Sequence, residues 1–214
     1  MELIRETTLV YRTTPQMAER KAAHRRKLLA VAVHRFGREG YHATTVPDIV
    51  ADSGSSTGSF YFYFRNKEDI FAAVLESVGE HISAVLNEAI APVSDPLLQM
   101  RTAVERLFLF FAENPDEARI LIIESSGLSL RLHRIRRNII SSHCRSVERA
   151  LQRLSDVLPP MNPGVVARCW VGAVYESVYH WLETSSHSRL SPERMAQEVA
   201  QFNLRGIGGT KEVS

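Results

Sequence analysis

Hydroxyls and a single ammonium are gathered in the stretch SGSSTGSFYFYFRNKEDI, residues 53–70: Ser56 and Thr57, Tyr61 and Tyr63, then Lys67. Such groups donate hydrogen bonds to anionic oxygens, and the start of a helix adds a partial positive charge from its free N–H groups. The chemistry this set can do is to hold an anion. Bond-making chemistry has no comparable cluster. The sequence shows no phosphate-cradling glycine loop, no nucleophile elbow and no paired carboxylates at a strand end, so no catalytic residue is assigned. His133, His143, Cys144 and Cys169 are the remaining candidates for metal or redox chemistry. Without HxxxH or CxxC spacing they read as surface histidines and buried cysteines, and neither metal nor cofactor is expected.

These donors need elements to place them. Thr45-Val46-Pro47-Asp48 matches a capping box, with Thr45 as N-cap and Asp48 at N3. It starts a short helix over about 46–52, which Gly54 can end in a left-handed conformation. Ser56 caps a second short helix over about 56–63, and Asn66-Lys67-Glu68-Asp69 starts a longer one. A short helix, a glycine turn and another short helix make a helix-turn-helix. On that reading the five consecutive rings separate. Phe60 and Phe64 stand at i, i+4 and face a core, meeting Ile49 and the stripe Leu28, Ala32, Phe36 of the preceding helix. Tyr61 shares the outward face of Thr57. Gly58 has no side chain and lets the helix approach a surface closely.

The rest of the chain reads as helix throughout. Asp95-Pro96, Asn114-Pro115, Asn162-Pro163 and Ser191-Pro192 each pair a capping side chain with a proline at the first helical position. The expected helices span about 15–39, 67–90, 96–113, 115–126, 128–157, 163–184 and 192–205. The tails, 1–14 and 206–214, are expected to be poorly ordered. Of 214 residues 44% are hydrophobic, enough for a sizeable core, and the formal net charge is only +2. The charge is unevenly placed: Arg20, Lys21, Arg25, Arg26, Lys27, Arg35 and Arg38 face one acid, Glu19, between residues 16 and 38. No apolar run approaches the ~18 residues of a membrane span. The first residues lack the apolar region of a secretion signal, so a cytoplasmic protein with reduced thiols is expected.

The segment LLAVAVHRFGREGYHATTVPDIVADSGSSTGSFYFYFRNKEDIF resembles the N-terminal domain of TetR-type bacterial transcriptional regulators. The matching residues are Phe36, Gly40-Tyr41, Thr44-Thr45, Asp48-Ile49, Gly54, Ser56, Gly58, Tyr61, Tyr63-Phe64 and Lys67-Glu68, within about residues 22–71. Ser55 stands where the family usually carries a small apolar residue. The resemblance implies an all-α fold: a three-helix DNA-binding domain over 15–66, then a helical ligand-binding and dimerisation domain over 67–207. It places Thr44, Thr45, Ser55, Ser56, Thr57, Gly58, Tyr61, Tyr63 and Lys67 at the DNA. Thr45 would meet a phosphate, and Ser56, Thr57 and Gly58 would begin the recognition helix in the major groove. Tyr61, Tyr63 and Lys67 would bind backbone phosphates. Whether the stripe of Arg20–Lys27 joins them is left open.

In the second half, the segment 163–184 carries two apolar stripes. One is Trp170, Val174, Ser177 and Trp181; the other is Val171, Tyr175, Val178 and Leu182. A helix apolar on so much of its surface must be covered on two sides, which a second subunit could do. Val171, Tyr175, Val178 and Leu182, with Met195, Val199 and Phe202, are therefore the dimerisation candidates. Phe108, Phe111, Ile135, Trp170, Val174 and Ser177 are, by the resemblance, candidates to line an effector cavity. The implied function is a dimeric repressor on a palindromic operator, released by a small apolar or amphipathic effector. A metal- or thiol-responsive sensor on the same scaffold is the alternative, and an enzyme with an accessory helix-turn-helix a distant third.

Overall fold

The structure, a computed structural model, describes residues 15–185 and 187–208. Nine α-helices and one π-helical turn follow each other among these residues: α1 (Pro15–Glu39), α2 (Val46–Ser53), α3 (Thr57–Tyr63), α4 (Lys67–Ile90), α5 (Pro96–Glu113), α6 (Pro115–Arg119), a π-helix (Ile120–Glu124), α7 (Leu130–Gln152), α8 (Pro163–Glu183) and α9 (Pro192–Gly206). The all-α expectation holds; of the tails expected at 1–14 and 206–214, residues 1–14 and 209–214 lie outside the described residues. Short of them, Ile207 is buried in the core rather than loose.

The caps explain where helices begin. Asp95, Asn162 and Ser191 each accept a backbone N–H of the first turn, with proline following. Asn114 does not. Its side-chain amide donates back to the Phe110 carbonyl at 2.9 Å, closing α5 instead of opening α6. The helix expected over 115–126 divides for a related reason. Beyond Arg119 the chain widens into a π-helix, and the Leu121 carbonyl accepts from Ser125 Oγ (2.8 Å) and Arg136 Nε (3.2 Å).

The first three helices close on Leu28, Ala32, Phe36, Ile49 and Phe60, all fully buried. Phe36 meets Phe71 of α4 edge-on at 4.9 Å, so this core runs into that of α4–α9, where α7 packs on α8 and α5 on α9. Two seams also join distant parts of the chain, the first of them fastening α1 to the rest. At one, α1 lies so close to α6 that a Cβ on Gly37 would stand 2.4 Å from Asp116 Cβ. Arg119 Nε donates to the Gly37 carbonyl (3.1 Å), Tyr41 N–H to Glu124 Oε2 (2.8 Å), and His34 contacts Asp116 (3.1 Å). At the other, the start of α4 meets the start of α7. There Arg131 pairs with Asp69 at 2.8 Å and Ser129 Oγ donates to Glu68 Oε1 at 3.0 Å.

Candidate functional site

The capping box at Thr45 is formed in both directions. Thr45 Oγ1 accepts from Asp48 N–H (3.4 Å), and Asp48 Oδ2 accepts from Thr45 N–H (2.8 Å). The Thr45 hydroxyl, which also donates to Asp48 Oδ2, and then the Thr45 N–H hold the Asp48 carboxyl below its ordinary pKa. Gly54 ends α2 at φ 60°, ψ 28°, its N–H directed to the Ala51 and Val50 carbonyls. A β-carbon there would pay for left-handed backbone, although nothing but Lys27 Nζ stands within 4 Å. Ser56 then caps α3, accepting from Ser59 N–H at 3.1 Å.

The helix-turn-helix presents one open face. Thr45, Ser56, Thr57 and Gly58 are exposed, and no atom lies within 4 Å of the space a Gly58 side chain would fill. Tyr61 is 54% exposed and Phe62 65%. The α1 stripe borders this face: Lys21 Nζ stands 5.4 Å from the Phe62 ring, Arg25 stands 5.4 Å from that of Phe64, and Lys27 lies beside Gly54. Phe62 is an addition to the expected set, and these cations belong to the stripe whose part was left open. Ring periodicity does not single out Phe62, and contiguity of α1 with α3 is a tertiary fact.

Four expected contacts, Thr44, Ser55, Tyr63 and Lys67, belong elsewhere. Thr44 is fully buried and its hydroxyl donates to the Gly40 carbonyl at 2.9 Å, closing the turn after α1. Ser55 faces inward, its Oγ 3.2 Å from His24 Nε2, which Ser59 Oγ also meets at 2.8 Å. His24 stacks on the half-buried Tyr63 ring at 5.7 Å, so this trio fastens α3 to α1. Lys67 Nζ donates to the carbonyls of Tyr41 (2.8 Å) and His42 (3.3 Å) and lies over the Tyr41 ring at 4.4 Å. It ties the loop after α1 to α4 instead of standing free for a phosphate.

A cavity of about 290 Å³ lies between α4, α5, α7 and α8. Of the expected effector residues, Trp170 and Val174 line it. Phe108 and Phe111 are fully buried in the core, Ile135 borders a separate groove by Gly79, and Ser177 is not among the lining residues. Two expected dimerisation residues, Val171 and Tyr175, line this cavity. Val178, Leu182 and Val199 are likewise buried within the chain, and of that set only Phe202 (70% exposed) and the half-buried Met195 remain at the surface. Both apolar stripes of α8 are covered intramolecularly, chiefly by α7 and also by α9. Its outward seam is Val165, Cys169, Gly172, Glu176 and Tyr179, at alternating spacings of four and three. Glycine and glutamate break the apolar pattern there, so periodicity alone passes over it.

Among the residues lining the cavity, His143 Nδ1 and the Tyr175 hydroxyl are 2.9 Å apart. Burial lowers the His143 pKa to about 4 and pushes that of Tyr175 up. His143 Nε2 is buried without a hydrogen-bond partner. Burial also raises the Cys144 thiol, which disfavours the reactive thiolate. Among the described residues no three His, Cys, Asp or Glu side chains come together in a way that could hold a metal ion. No described helix is long and apolar enough to cross a membrane.

Known proteins share this arrangement. Residues 28–74 match the family described as "Bacterial regulatory proteins, tetR family". The chain is 26% identical over 195 residues to the HTH-type transcriptional regulator YdgC of Bacillus subtilis (strain 168), covering 89% of this chain and 96% of that one. It is 45% identical over 49 residues to the HTH-type transcriptional regulator QacR of Staphylococcus aureus (strain Mu50 / ATCC 700699), 23% of this chain and 26% of QacR. The transcriptional regulator FadR from Bacillus subtilis, solved with stearoyl-CoA, shares the fold. Its TM-score is 0.75 at 18% identity, covering 87% of this chain and 99% of FadR. The chain thus carries an N-terminal domain of the tetR family of bacterial regulatory proteins, and over most of its length it is similar to a helix-turn-helix transcriptional regulator.

Proposed function

We propose that this protein is a homodimeric, ligand-responsive repressor that binds a palindromic operator through residues 15–66. Residues 67–207 would hold the effector and the dimer interface. The observation that carries the reading is the open face of α3: a capped helix start with Thr57, Gly58 and Tyr61 outward and a basic stripe beside it. Helix N-terminal residues of this kind read base edges while flanking hydroxyls and cations engage phosphates. The DNA-binding set is therefore Thr45, Ser56, Thr57, Gly58 and Tyr61, joined by Lys21, Arg25 and Lys27. The dimer would form along the seam of α8 with Phe202 of α9. The role is regulatory and not catalytic, in the cytoplasm.

Release follows from α4. The cavity is lined near the C-terminal end of α4 by Leu86, Asn87 and Ile90, while Lys67 at its other end is tied to the Tyr41 and His42 carbonyls after α1. Twenty residues of helix are about 30 Å of rod. A ligand that displaces one end shifts the recognition helices, which must stand one DNA turn apart, about 34–36 Å. Effector and operator then weaken each other by the same factor, about 1–3 kcal/mol. Selection of binding sites from random DNA by the purified protein tests the reading. The expected product is a two-fold symmetric sequence with half-sites one turn apart. Binding without sequence preference would refute it.

A further inference from the structure

The side of α1 turned toward α3 is built on Lys21, His24, Arg25 and Leu28, at helical spacing. Leu28 is fully buried, and Lys21 and Arg25 each stand 5.4 Å from a ring, those of Phe62 and Phe64. His24, half-buried between the two cations, supplies the hydrogen bonds. Its Nε2 lies 2.8 Å from Ser59 Oγ and 3.2 Å from Ser55 Oγ, and its ring stacks on Tyr63 at 5.7 Å with 25° between the planes. These three partners lie in the turn before α3, at its third residue and at its last.

At about 100° per residue the seven residues of α3 divide into flanks. Phe60 and Phe64 are buried and make the central stripe. Ser59 and Tyr63, also i, i+4, lie to one side of it, and Thr57 and Tyr61 to the other. Apolar burial is non-directional, so the phenylalanine stripe does not by itself fix how far so short a helix is rolled about its own axis. Hydrogen bonds are directional, and those to His24 hold the flank opposite Thr57 and Tyr61. A roll of about 15° carries an atom about 6 Å from the helix axis through about 1.6 Å, enough to break a hydrogen bond made by the other flank.

Histidine suits the position by its shape. Each serine hydroxyl can donate or accept, so Nε2 is satisfied in either tautomer of the neutral ring, and the flat face of the same ring covers Tyr63. Glutamine can bring an amide group to about where Nε2 stands but has no ring. Alanine brings neither.

We propose, resting on the reading of α3 as the recognition helix, that His24 is the positioning residue for operator selectivity. Through Ser59, Ser55 and Tyr63 it sets the roll of α3, and with it which base edges the start of that helix meets, without itself touching DNA. Lys21 and Arg25 do the complementary work, attracting phosphates of any sequence. One face of α1 thus separates the two components of binding: the cations serve affinity, and the histidine between them serves selectivity.

The test titrates full-length protein, by fluorescence anisotropy, against an operator obtained by selection and against random DNA of the same length, from about 50 to about 200 mM salt. His24→Ala should lower operator affinity about tenfold, while affinity for random DNA stays within about twofold and the salt slope is unchanged. His24→Gln should recover most of the selectivity. Ser59→Ala should reduce selectivity in the same direction, and combining it with His24→Ala should cost little more, because both remove one interaction. Thermal melts show which variants are folded at the assay temperature; should His24→Ala not be, Ser59→Ala decides. A loss on both DNAs alike, with the salt slope smaller by about one, would make His24 a phosphate contact and overturn the proposal. Selectivity left intact by His24→Ala or by Ser59→Ala would overturn it too, and the DNA-binding reading would stand. A parent protein that does not distinguish the operator from random DNA would bring down the recognition-helix reading and this proposal with it.

Discussion

Gly58 separates folding from DNA contact. It is the second residue of the seven-residue helix α3, exposed, with nothing within 4 Å of where a Cβ would stand, and its φ is not in the left-handed region. Folding therefore has no use for a glycine here. Alanine in a helix is favoured by roughly 0.5–1 kcal/mol, and at a helix start the lower end applies. For a chain of this size that raises the melting temperature by about 1–2 °C. Against DNA the sign reverses. A methyl group forced into a close contact between α3 and the groove costs about 1–3 kcal/mol, or roughly five- to 150-fold in affinity. The assay is a thermal melt beside fluorescence anisotropy on the operator at matched salt. Gly58→Ala that binds the operator as tightly as the parent would show that this surface does not meet DNA, and a lowered melting temperature would contradict the local backbone argument.

Tyr61→Phe should weaken binding to all DNA sequences about equally, by about 1 kcal/mol for one phosphate hydrogen bond, as read by competition with random DNA; undiminished affinity would remove that contact. Phe202→Asp should yield monomers in sedimentation at micromolar concentration, because Phe202 is 70% exposed on the face assigned to the partner; a persisting dimer would place the interface elsewhere. The Asp69 carboxyl is held at a pKa of about 2, against an ordinary 3.8, chiefly by its hydrogen bond from Arg65, with Arg131 adding to it. Since the folded value is the lower, its stabilisation is complete above about pH 4 and is lost as pH falls from there through about 2. Asp69→Asn should flatten that part of the stability profile in acid denaturation, and an unchanged acid limb would show that the carboxylate contributes nothing.

Local signals carried far in this sequence. The capping box at Thr45–Asp48, the glycine at 54 and the caps at Ser56 and Asn66 act within four residues of backbone, so they can be read before any packing is known. What failed was tertiary. Thr44, Ser55 and Lys67 carry the right groups for DNA, but each meets a nearby carbonyl or histidine that only the folded chain supplies. Both stripes of α8 are apolar, and nothing in their spacing says that this chain's own α7 and α9 cover them. Phe108 and Trp170 are equally apolar, yet one fills the core and the other borders a void. The π-helix left no mark in the sequence, as its extra residue per turn keeps the apolar face of Ile120–Ile122 buried.

The α1–α6 and α4–α7 seams bear on how exchangeable parts of such a regulator are. A chimera cut at Asn66 would carry α1–α3 but sever Tyr41 from Glu124, Gly37 from Arg119, and the Asp116 backbone from the glycine it crowds. Moving the cut beyond α4 keeps Asp69 but parts it from Arg131. A working graft must bring residues from three separated stretches, around positions 37–41, 68–69 and 116–131, or re-create their complementarity in the recipient. The unit that can be traded between relatives is thus a set of matched surfaces scattered along the chain and not a contiguous cassette.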